Sequence, residues 1–495
     1  MSFVSIQFLI FVAAAVGLFY AAPKKYRWYE LTAASVCFYI LSAGWLAFAA
    51  ALVEVLAAYA SALLIMRAAE DRKKRKLILS VAVILLVTAL TLMKLKSYFT
   101  DELAWLIAPL GVSYYSFSLI GYLADVYYKK EDAEKNFLKL ILYSFYFPKI
   151  IQGPISKFRE IGPRLTQEHR FDYTRFCFGL QLIVFGYFKK IVIADRAALL
   201  TQTVFGDLAA YDGGGMILAV VTVIAVIRHY CDFSGYMDIV IGISQLFGVE
   251  LEENFKQPFF SRSAAEFWRR WHITLGVWFK DYVYMPLVIH PKVIRFSAFV
   301  KKHCGKRAGK AVLSVIPLGV TWILTGLWHG TGVNYLLWGV YWGTIIILSN
   351  VFAPELKRLT KALRIKTESF WWRLFQSLRT FAIFTGGLLI STLVGIDGLR
   401  LYFWNFLHYF RTTALLRGRL YEFGLNRSNF LTLLVSIAFL FVVEVYQQKG
   451  SVRERIAQKP ALVRWLAYAF AFVMVVFLGV YGGNFDLSGF AYAHF

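Results

Sequence analysis

The stretch FVSIQFLIFVAAAVGLFYA, residues 3–21, contains no charged side chain. As an α-helix that rises about 1.5 Å per residue, it is long enough to cross roughly 30 Å of hydrocarbon. A signal peptide would carry a basic segment before its apolar run, whereas here Lys24, Lys25 and Arg27 follow the run. We therefore interpret this stretch as the first membrane span.

The rest of the 495-residue chain has the same character. Hydrophobic residues make up 59% of it and the mean hydropathy is +0.56, which is more apolar side chain than a soluble core can bury. Further spans are predicted near residues 31–48, 50–66, 77–95, 104–126, 176–194, 216–234, 311–327, 333–351, 371–395, 430–446 and 461–481. The predicted fold is an all-α polytopic membrane protein with about 11 or 12 transmembrane helices, forming a single membrane domain over residues 1–495.

Two regions do not fit simple spans. Residues 137–158 are apolar but contain Pro148, Gly153 and Pro154, which favours a re-entrant or broken helix because proline removes a backbone donor. Residues 253–287 mix aromatic with basic side chains. Such a mixture is typical of interfacial helices, whose aromatic bodies lie at the headgroup level.

The formal net charge of +24 would indicate a nucleic-acid partner in a soluble protein. Here the basic residues collect between apolar runs, at 67–76, 292–310, 355–373 and 449–464, as the positive-inside rule requires of cytoplasmic segments. That rule places both ends of the chain outside. The basic residues are therefore predicted to lie next to membrane lipid, and no nucleic-acid partner is expected.

The cysteines and histidines give no sign of a disulfide framework or a metal site. The four cysteines are scattered without paired spacing, and no histidine cluster has the spacing of metal ligands. The cysteines are Cys37, Cys177, Cys231 and Cys304.

One histidine stands out in LTGLWHGTGVNYLLWGVYWG, residues 324–343. His329 falls in the turn between two predicted spans, which the predicted topology places toward the outer half of the membrane. An ionisable residue within the membrane is by default a functional hypothesis. The alternative is a neutral imidazole that only packs two helices together. Gly326, Gly330 and Gly332 favour a site, because glycine lets backbone or ligand approach closely and opens room beside the ring.

A second histidine, His272, lies in FWRRWHITLGVWFKDY, just before the basic stretch 292–310. It is therefore predicted to face the cytoplasm, although a solvated interfacial ring is the alternative. Together the two histidines predict one imidazole near each membrane face with a path between them. An imidazole with an ordinary pKa near 6.5 suits proton removal from a hydroxyl, and burial favours the neutral form that a base needs. Asp232 lies near a span end, where it would support such a site, pair with a cation or cap a helix.

Several stretches carry a family resemblance, most specifically RRWH joined to KDYVYMPL and followed by GLWHG. The chain resembles the membrane-bound O-acyltransferases, in the bacterial branch that serves alginate O-acetylation and teichoic acid D-alanylation. After YMPL the sequence reads Val288, Ile289, His290, Pro291 instead of a glycine pair, which leaves the final acceptor open. The resembling stretches are 110–128, 147–158, 186–198, 230–287, 326–343 and the C-terminal SGFAYAHF.

The resemblance implies helices around a central tunnel, through which an acyl group passes from a cytoplasmic thioester to a hydroxyl at the outer face. His329 aligns with the family's essential histidine and would be the base, and His272 aligns with its second position of this kind. Trp328, Tyr335 and Trp338 would line the pocket. The other candidate substrate-binding residues are Arg269, Arg270, Trp271 and Asp232.

The resemblance also implies substrates and partners. Acetyl-CoA is the expected donor, used as a substrate with no bound cofactor, and an SGNH-type acetyltransferase in the periplasm or outside the cell is the expected partner. The predicted role is O-acetylation of an exopolysaccharide such as alginate, from the bacterial cytoplasmic membrane. One alternative is D-alanyl transfer from an acyl carrier protein toward teichoic acid. A transporter or a membrane scaffold is the alternative from another class, since intramembrane ionisable residues and broken helices also mark transport paths.

Overall fold

The structure is a computed structural model and describes residues 1–95, 109–393, 395–408, 410 and 412–481. Regular structure in these residues is helical, apart from an isolated β-bridge between Phe255 and Trp271. The predicted all-α fold is thereby confirmed. The first residues of the predicted span 104–126 and the C-terminal SGFAYAHF lie outside the described residues.

The helices follow one another closely along the chain. The first ten are α1 (Ile6–Ala21), α2 (Arg27–Ala43), α3 (Trp45–Arg67), α4 (Arg72–Leu95), α5 (Val112–Tyr127), α6 (Phe137–Phe145), α7 (Phe158–Thr166), α8 (Tyr173–Tyr187), α9 (Asp195–Gly206) and α10 (Gly215–Leu246). The next six are α11 (Ala264–Trp268), α12 (Ile273–Phe279), α13 (Met285–Val288), α14 (Pro291–His329), α15 (Val333–Val351) and α16 (Ala353–Ala362). The last six are α17 (Phe370–Thr392), α18 (Gly395–His408), α19 (Thr412–Leu416), α20 (Arg427–Gln447), α21 (Val452–Ala457) and α22 (Ala461–Leu478).

These helices form two compact units. The first contains the described residues of 1–196, 229–253 and 432–481, and the second contains those of 197–228 and 254–431. The single membrane domain predicted over residues 1–495 stays a prediction.

Eight helical segments of the described chain are long and apolar enough to cross a membrane, or nine if the bent pair α15 and α16 counts as one span. This is fewer than the 11 or 12 predicted. Part of the difference is length, because α1 has 16 residues and α2 has 17, so each reaches only about 25 Å at 1.5 Å per residue. Gly44, with φ of +85°, ends α2 and separates it from α3. The chain is a multi-pass membrane protein.

Apolar side chains on the outside of the helices agree with this conclusion. On α22, Leu462, Trp465, Phe470 and Phe477 are all exposed, and the helix contains a single charged residue, Arg464. A helix that is apolar on nearly every face is stable only in a core or in lipid. Since these side chains are not in a core, lipid is the solvent that suits them.

The predicted break in residues 137–158 is confirmed. Helix α6 ends at Phe145 and α7 begins at Phe158, with an irregular segment between them. Gly153 is required within that segment, because a Cβ there would clash with the backbone of Lys149. Whether the segment enters the membrane stays a prediction.

Helix α14 contains two helical segments and a corner at Gly305, whose φ is +90°. The Ser297 hydroxyl on one side of the corner donates to the Gly309 carbonyl on the other side at 2.7 Å, so the two segments fold against each other. The basic stretch 292–310 is therefore a helical corner and not an extended loop.

Glycines set the packing of α14 against α15. A Cβ at Gly326 would clash with the Tyr335 carbonyl oxygen, and a Cβ at Gly339 would clash with the Trp322 carbonyl oxygen. Small residues of this kind let two membrane helices approach closely. This packing holds the end of α14, where His329 lies, against the first turns of α15.

Candidate active site

His329 is the last residue of α14, and Gly330 caps that helix. The His329 side chain is buried, and its ring centroid lies 4.8 Å from that of Trp328 and 4.7 Å from that of Trp338. The imidazole therefore lies in an aromatic environment built by the end of α14 and the start of α15.

The glycines near His329 have a different role from the one predicted. A Cβ at Gly330 would clash with the Tyr335 ring, and a Cβ at Gly332 would clash with the side-chain oxygen of Asn334. The expected close approach of backbone occurs at Gly326, against the Tyr335 carbonyl oxygen, whereas the space beside Gly330 and Gly332 is filled by side chains. The glycines bring Tyr335 against the turn that carries His329.

His272 precedes α12 in the left-handed conformation, with φ of 46° and ψ of 52°. This region is sparsely populated by residues with a side chain, so surrounding contacts must hold His272 there. The side chain is only 2% exposed, which excludes the alternative of a solvated interfacial ring. Its ring centroid lies 6.0 Å from that of Trp328.

Both imidazoles therefore contact the same indole. The centroids of His272 and His329 can be no farther apart than the sum of their distances to Trp328, 6.0 Å and 4.8 Å. The prediction of one imidazole near each membrane face is wrong, because a bilayer core is roughly 30 Å thick. The segment before α12 folds inward instead of lying along the surface, and it carries His272 to the end of α14.

Hydrogen bonds to Asn254 and from Lys256 fix the backbone on the two sides of His272. Its side-chain oxygen accepts from the backbone N–H and from the hydroxyl of Thr274, both at 2.9 Å. Its carbonyl accepts from the N–H of Ile273 at 3.0 Å. The Arg270 carbonyl accepts from the Lys256 N–H at 2.9 Å. His272 is thus held between two anchored segments, which explains how its left-handed conformation persists.

We expect Asn254→Ala to make the His272 side chain more mobile and more accessible to solvent. The change leaves the buried Thr274 N–H and hydroxyl without their acceptor, at a cost of about 1–3 kcal/mol of stability. The thermal unfolding midpoint should fall, and labelling of His272 by diethyl pyrocarbonate, followed by mass spectrometry, should rise. The matched variant Thr274→Ser keeps both hydrogen bonds and should change neither quantity. Unchanged labelling in Asn254→Ala would show that Asn254 does not hold His272.

Burial lowers the pKa of His272 to about 3. The imidazole is therefore neutral in the folded protein near pH 7, whereas in the unfolded chain it protonates near pH 6.5. Between these two values the unfolded chain binds more protons, so stability falls as pH falls and is constant above about 6.5.

The pH dependence of unfolding tests this environment. When the pH falls from 7 to 5, we expect the burial of neutral His272 to lower the free energy of unfolding by about 2 kcal/mol. This is the interval of about 1.5 pH units between the unfolded-state pKa near 6.5 and pH 5, at about 1.36 kcal/mol per unit. The measurement is the unfolding midpoint in detergent at both pH values for wild type and for His272→Gln, whose drop should be smaller. His303→Gln, at an exposed histidine, should behave as wild type. An equal drop in His272→Gln and wild type would contradict the buried environment.

The comparisons with known proteins bear on this site directly. The sequence model described as "MBOAT, membrane-bound O-acyltransferase family" matches residues 132–395, more than half of the chain and a segment that includes both histidines. The chain belongs to this family. The aromatic site with its two histidines therefore lies within the part of the chain that matches the MBOAT family.

Relatives of this MBOAT chain are named for O-acetylation of alginate, O-acetylation of peptidoglycan and D-alanylation of teichoic acid. It is 32% identical to the probable alginate O-acetylase of Pseudomonas fluorescens over 68% of this chain and 63% of that protein. It is 29% identical to the peptidoglycan O-acetyltransferase of Helicobacter pylori over 53% and 51%. It is 28% identical to the teichoic acid D-alanyltransferase of Bacillus subtilis over 50% and 60%. The chain spans about half to two thirds of the length of these relatives.

The other predicted site residues of the MBOAT chain divide into two groups. Trp271 is buried next to His272, whereas Arg269 is exposed and Arg270 pairs with Glu266 at 2.8 Å. Asp232 lies in the first compact unit, where it pairs with Lys190 at 2.6 Å. The structure therefore brings Trp271, Trp328, Tyr335 and Trp338 together around the histidines. In the first unit, Asp232 belongs to an ionic cluster with Lys190 and Asp195.

The rest of the aromatic cluster was not predicted from the sequence. Trp342 and Phe267 have nearly parallel rings with centroids 6.2 Å apart, and Trp268 packs edge-on against Trp338 at 5.5 Å. Trp338 and Trp342 are four residues apart on α15, and this helical spacing was a signal in the sequence. The cluster comprises Phe267, Trp268, Trp271, Trp322, Trp338, Trp342 and Phe384.

Proposed function

We propose that this chain is an O-acyltransferase that moves an acetyl group from acetyl-CoA to a hydroxyl acceptor, with His329 as the general base. The observation that carries the proposal is that His272 and His329 both lie in the matched MBOAT segment and contact one buried indole, that of Trp328. Two buried imidazoles beside one aromatic ring can supply a general base and a second hydrogen-bonding group to the same acceptor.

In the proposed reaction the acceptor hydroxyl gives its proton to a ring nitrogen of His329. The hydroxyl oxygen attacks the thioester carbonyl and forms a tetrahedral intermediate. That intermediate collapses when the carbon–sulfur bond breaks, and the departing thiolate takes up the proton from His329. A positioned general base of this kind contributes about 10² to 10⁴ in rate.

His272 has another part in this proposal. A base works best when its pKa lies near the operating pH, and burial holds the pKa of His272 at about 3. His272 therefore remains neutral and serves as a hydrogen-bonding group that positions a substrate. This division agrees with the family resemblance of the sequence, which implies that His329 takes the place of the essential histidine.

The aromatic environment supports transfer over hydrolysis. Trp328 and Trp338 pack against His329, and the next layer of the cluster surrounds Trp338. Excluding water from a site protects a reactive acyl group from hydrolysis and strengthens the polar interactions within it. We propose that the acetyl group reaches this site through a tunnel from the cytoplasmic side, and that the acceptor reaches it from the outside.

The relatives favour acetyl over D-alanyl transfer. The Pseudomonas fluorescens alginate O-acetylase matches more of the chain, and at higher identity, than the Bacillus subtilis D-alanyltransferase does. We therefore propose that the chain works in the bacterial cytoplasmic membrane together with an SGNH-type partner. Through that partner the acetyl group would reach its final acceptor, an exopolysaccharide such as alginate. D-alanyl transfer from a carrier protein remains the second candidate, supported by the match to the D-alanyltransferase.

One assay separates these candidates. The purified chain in detergent is mixed with acetyl-CoA that carries a radiolabelled acetyl group, together with an alginate oligosaccharide or an SGNH-type partner. We expect acceptor-dependent release of CoA thiol and transfer of label to the acceptor. A carrier protein loaded with D-alanine replaces acetyl-CoA in a parallel reaction. Transfer only in the parallel reaction favours the second candidate, and transfer in neither reaction contradicts the proposal.

A further inference from the structure

A cavity lies on the first compact unit where α20 meets α21. Its volume is about 220 Å³, well above the roughly 10–15 Å³ that one water needs. The walls are almost entirely apolar, and Arg455 and Lys459 lie at the same cavity. The apolar lining consists of Val442, Val443 and Tyr446 of α20 with Val452 and Ile456 of α21.

The cavity is at the end of a membrane helix. Helix α20 is long and apolar enough to span, and so is α22, which begins just after α21. Val435, Phe439 and Val442 follow one another at helical spacing on the face of α20 that leads to the cavity, and all three are exposed. An apolar surface thus runs along α20 to the cavity, and a hydrocarbon chain can follow it without crossing a polar region.

The charge at the cavity is positive. Between Gln447 and Tyr481 the chain carries five basic residues and one acid, Glu454. Arg453 is held within the unit, because its guanidinium donates to the Phe178 carbonyl and to the Gln245 side-chain oxygen, both at 3.2 Å. Arg455 and Lys459 are exposed. Arg455 gives one N–H to the Lys449 carbonyl at 2.7 Å, and a guanidinium has five such donors.

We propose that this cavity binds an anionic phospholipid, with an acyl chain against Val443 and Ile456 and the phosphate between Arg455 and Lys459. Basic residues at the cytoplasmic end of membrane helices attract anionic headgroups, and the positive-inside rule places this segment on that side. A soluble anion would use the two cations but not the apolar walls. A zwitterionic lipid would use the walls but would gain little from the cations.

Native mass spectrometry of the full chain in detergent tests the proposal. The protein is mixed with equal amounts of phosphatidylglycerol and phosphatidylcholine that have identical acyl chains. We expect retained adducts to be mainly phosphatidylglycerol. In the double variant Arg455→Gln/Lys459→Gln this preference should fall roughly 10- to 30-fold, because each basic residue near a headgroup contributes about 1 kcal/mol. Val443→Trp should reduce binding by filling the cavity.

The matched control is Lys357→Gln/Lys361→Gln, which removes two exposed charges from α16. It should keep the wild-type preference, and all variants should keep the wild-type unfolding midpoint in phosphatidylcholine. Glycerol phosphate, the soluble headgroup, should not displace the lipid. Equal retention of the two lipids, an equal loss in the α16 control, or displacement by glycerol phosphate would each overturn the proposal.

Discussion

His329→Ala should lower the rate of acyl transfer by about 10² to 10⁴, the contribution of a general base, and leave the fold near normal. The substitution removes the imidazole beside Trp328 and Trp338, but keeps the packing of α14 on α15, which depends on Gly326 and Gly339. The measurement is acceptor-dependent release of CoA thiol per folded molecule, with the folded fraction taken from the unfolding curve.

Two further variants separate base catalysis from packing. His329→Gln keeps a polar side chain of similar reach but has no basic nitrogen, so it should be about as slow as His329→Ala. His290→Ala, at an exposed histidine, should retain wild-type activity. If His329→Ala instead loses its fold but retains full activity per folded molecule, His329 is a packing residue and another base must be sought.

Local composition predicted most of the fold. Apolar runs predicted α3, α4, α20 and α22 to within a few residues, because a span depends on its own hydrophobicity and length. Pro148 and Pro154 predicted the break after α6 for the same local reason. Composition did not show that α10 extends to 32 residues, since polar residues that face other helices lower the hydropathy of its second half.

The assembly of the site was less predictable. The residue type and the helix end at His329 were visible in the sequence, and so was the tryptophan beside it. The inward fold that carries His272 to Trp328 was not, because it depends on hydrogen bonds from Asn254 to Ile273 and Thr274, which join residues far apart in sequence. The mixture of basic and aromatic residues in this segment indicated an interface, because composition does not show which of these side chains are buried by the fold.

The partners in buried ion pairs could not be predicted from the sequence. Lys190 lies 2.6 Å from Asp232 and 2.9 Å from Asp195, and the lysine side chain is 3% exposed. The sequence placed Asp232 near a span end, but it did not show which cation would face it. Lys190 lies in a π-helical turn, Phe188–Ala194, and such turns change which side chains share a face of the helix.

Lys190→Met should therefore destabilise the protein more than Asp232→Asn. Removing the lysine leaves the buried Asp232 carboxylate and the partly buried Asp195 carboxylate without its ammonium, and breaking a buried pair costs about 3–5 kcal/mol. Asp232→Asn keeps the side-chain shape and leaves Lys190 paired with Asp195, so the cost should be that of a weakened hydrogen bond, about 1–3 kcal/mol. The measurement is the unfolding midpoint of each variant in the same detergent.

An exposed pair supplies the reference for this comparison. Arg373 pairs with Glu368 where both side chains are at least half exposed, and surface pairs contribute about 0–1 kcal/mol. Arg373→Met should thus leave the midpoint close to wild type. An Asp232→Asn loss equal to or larger than that of Lys190→Met would show that Lys190 does not bridge both carboxylates. Asp232 would then stabilise this unit through contacts other than its pair with Lys190.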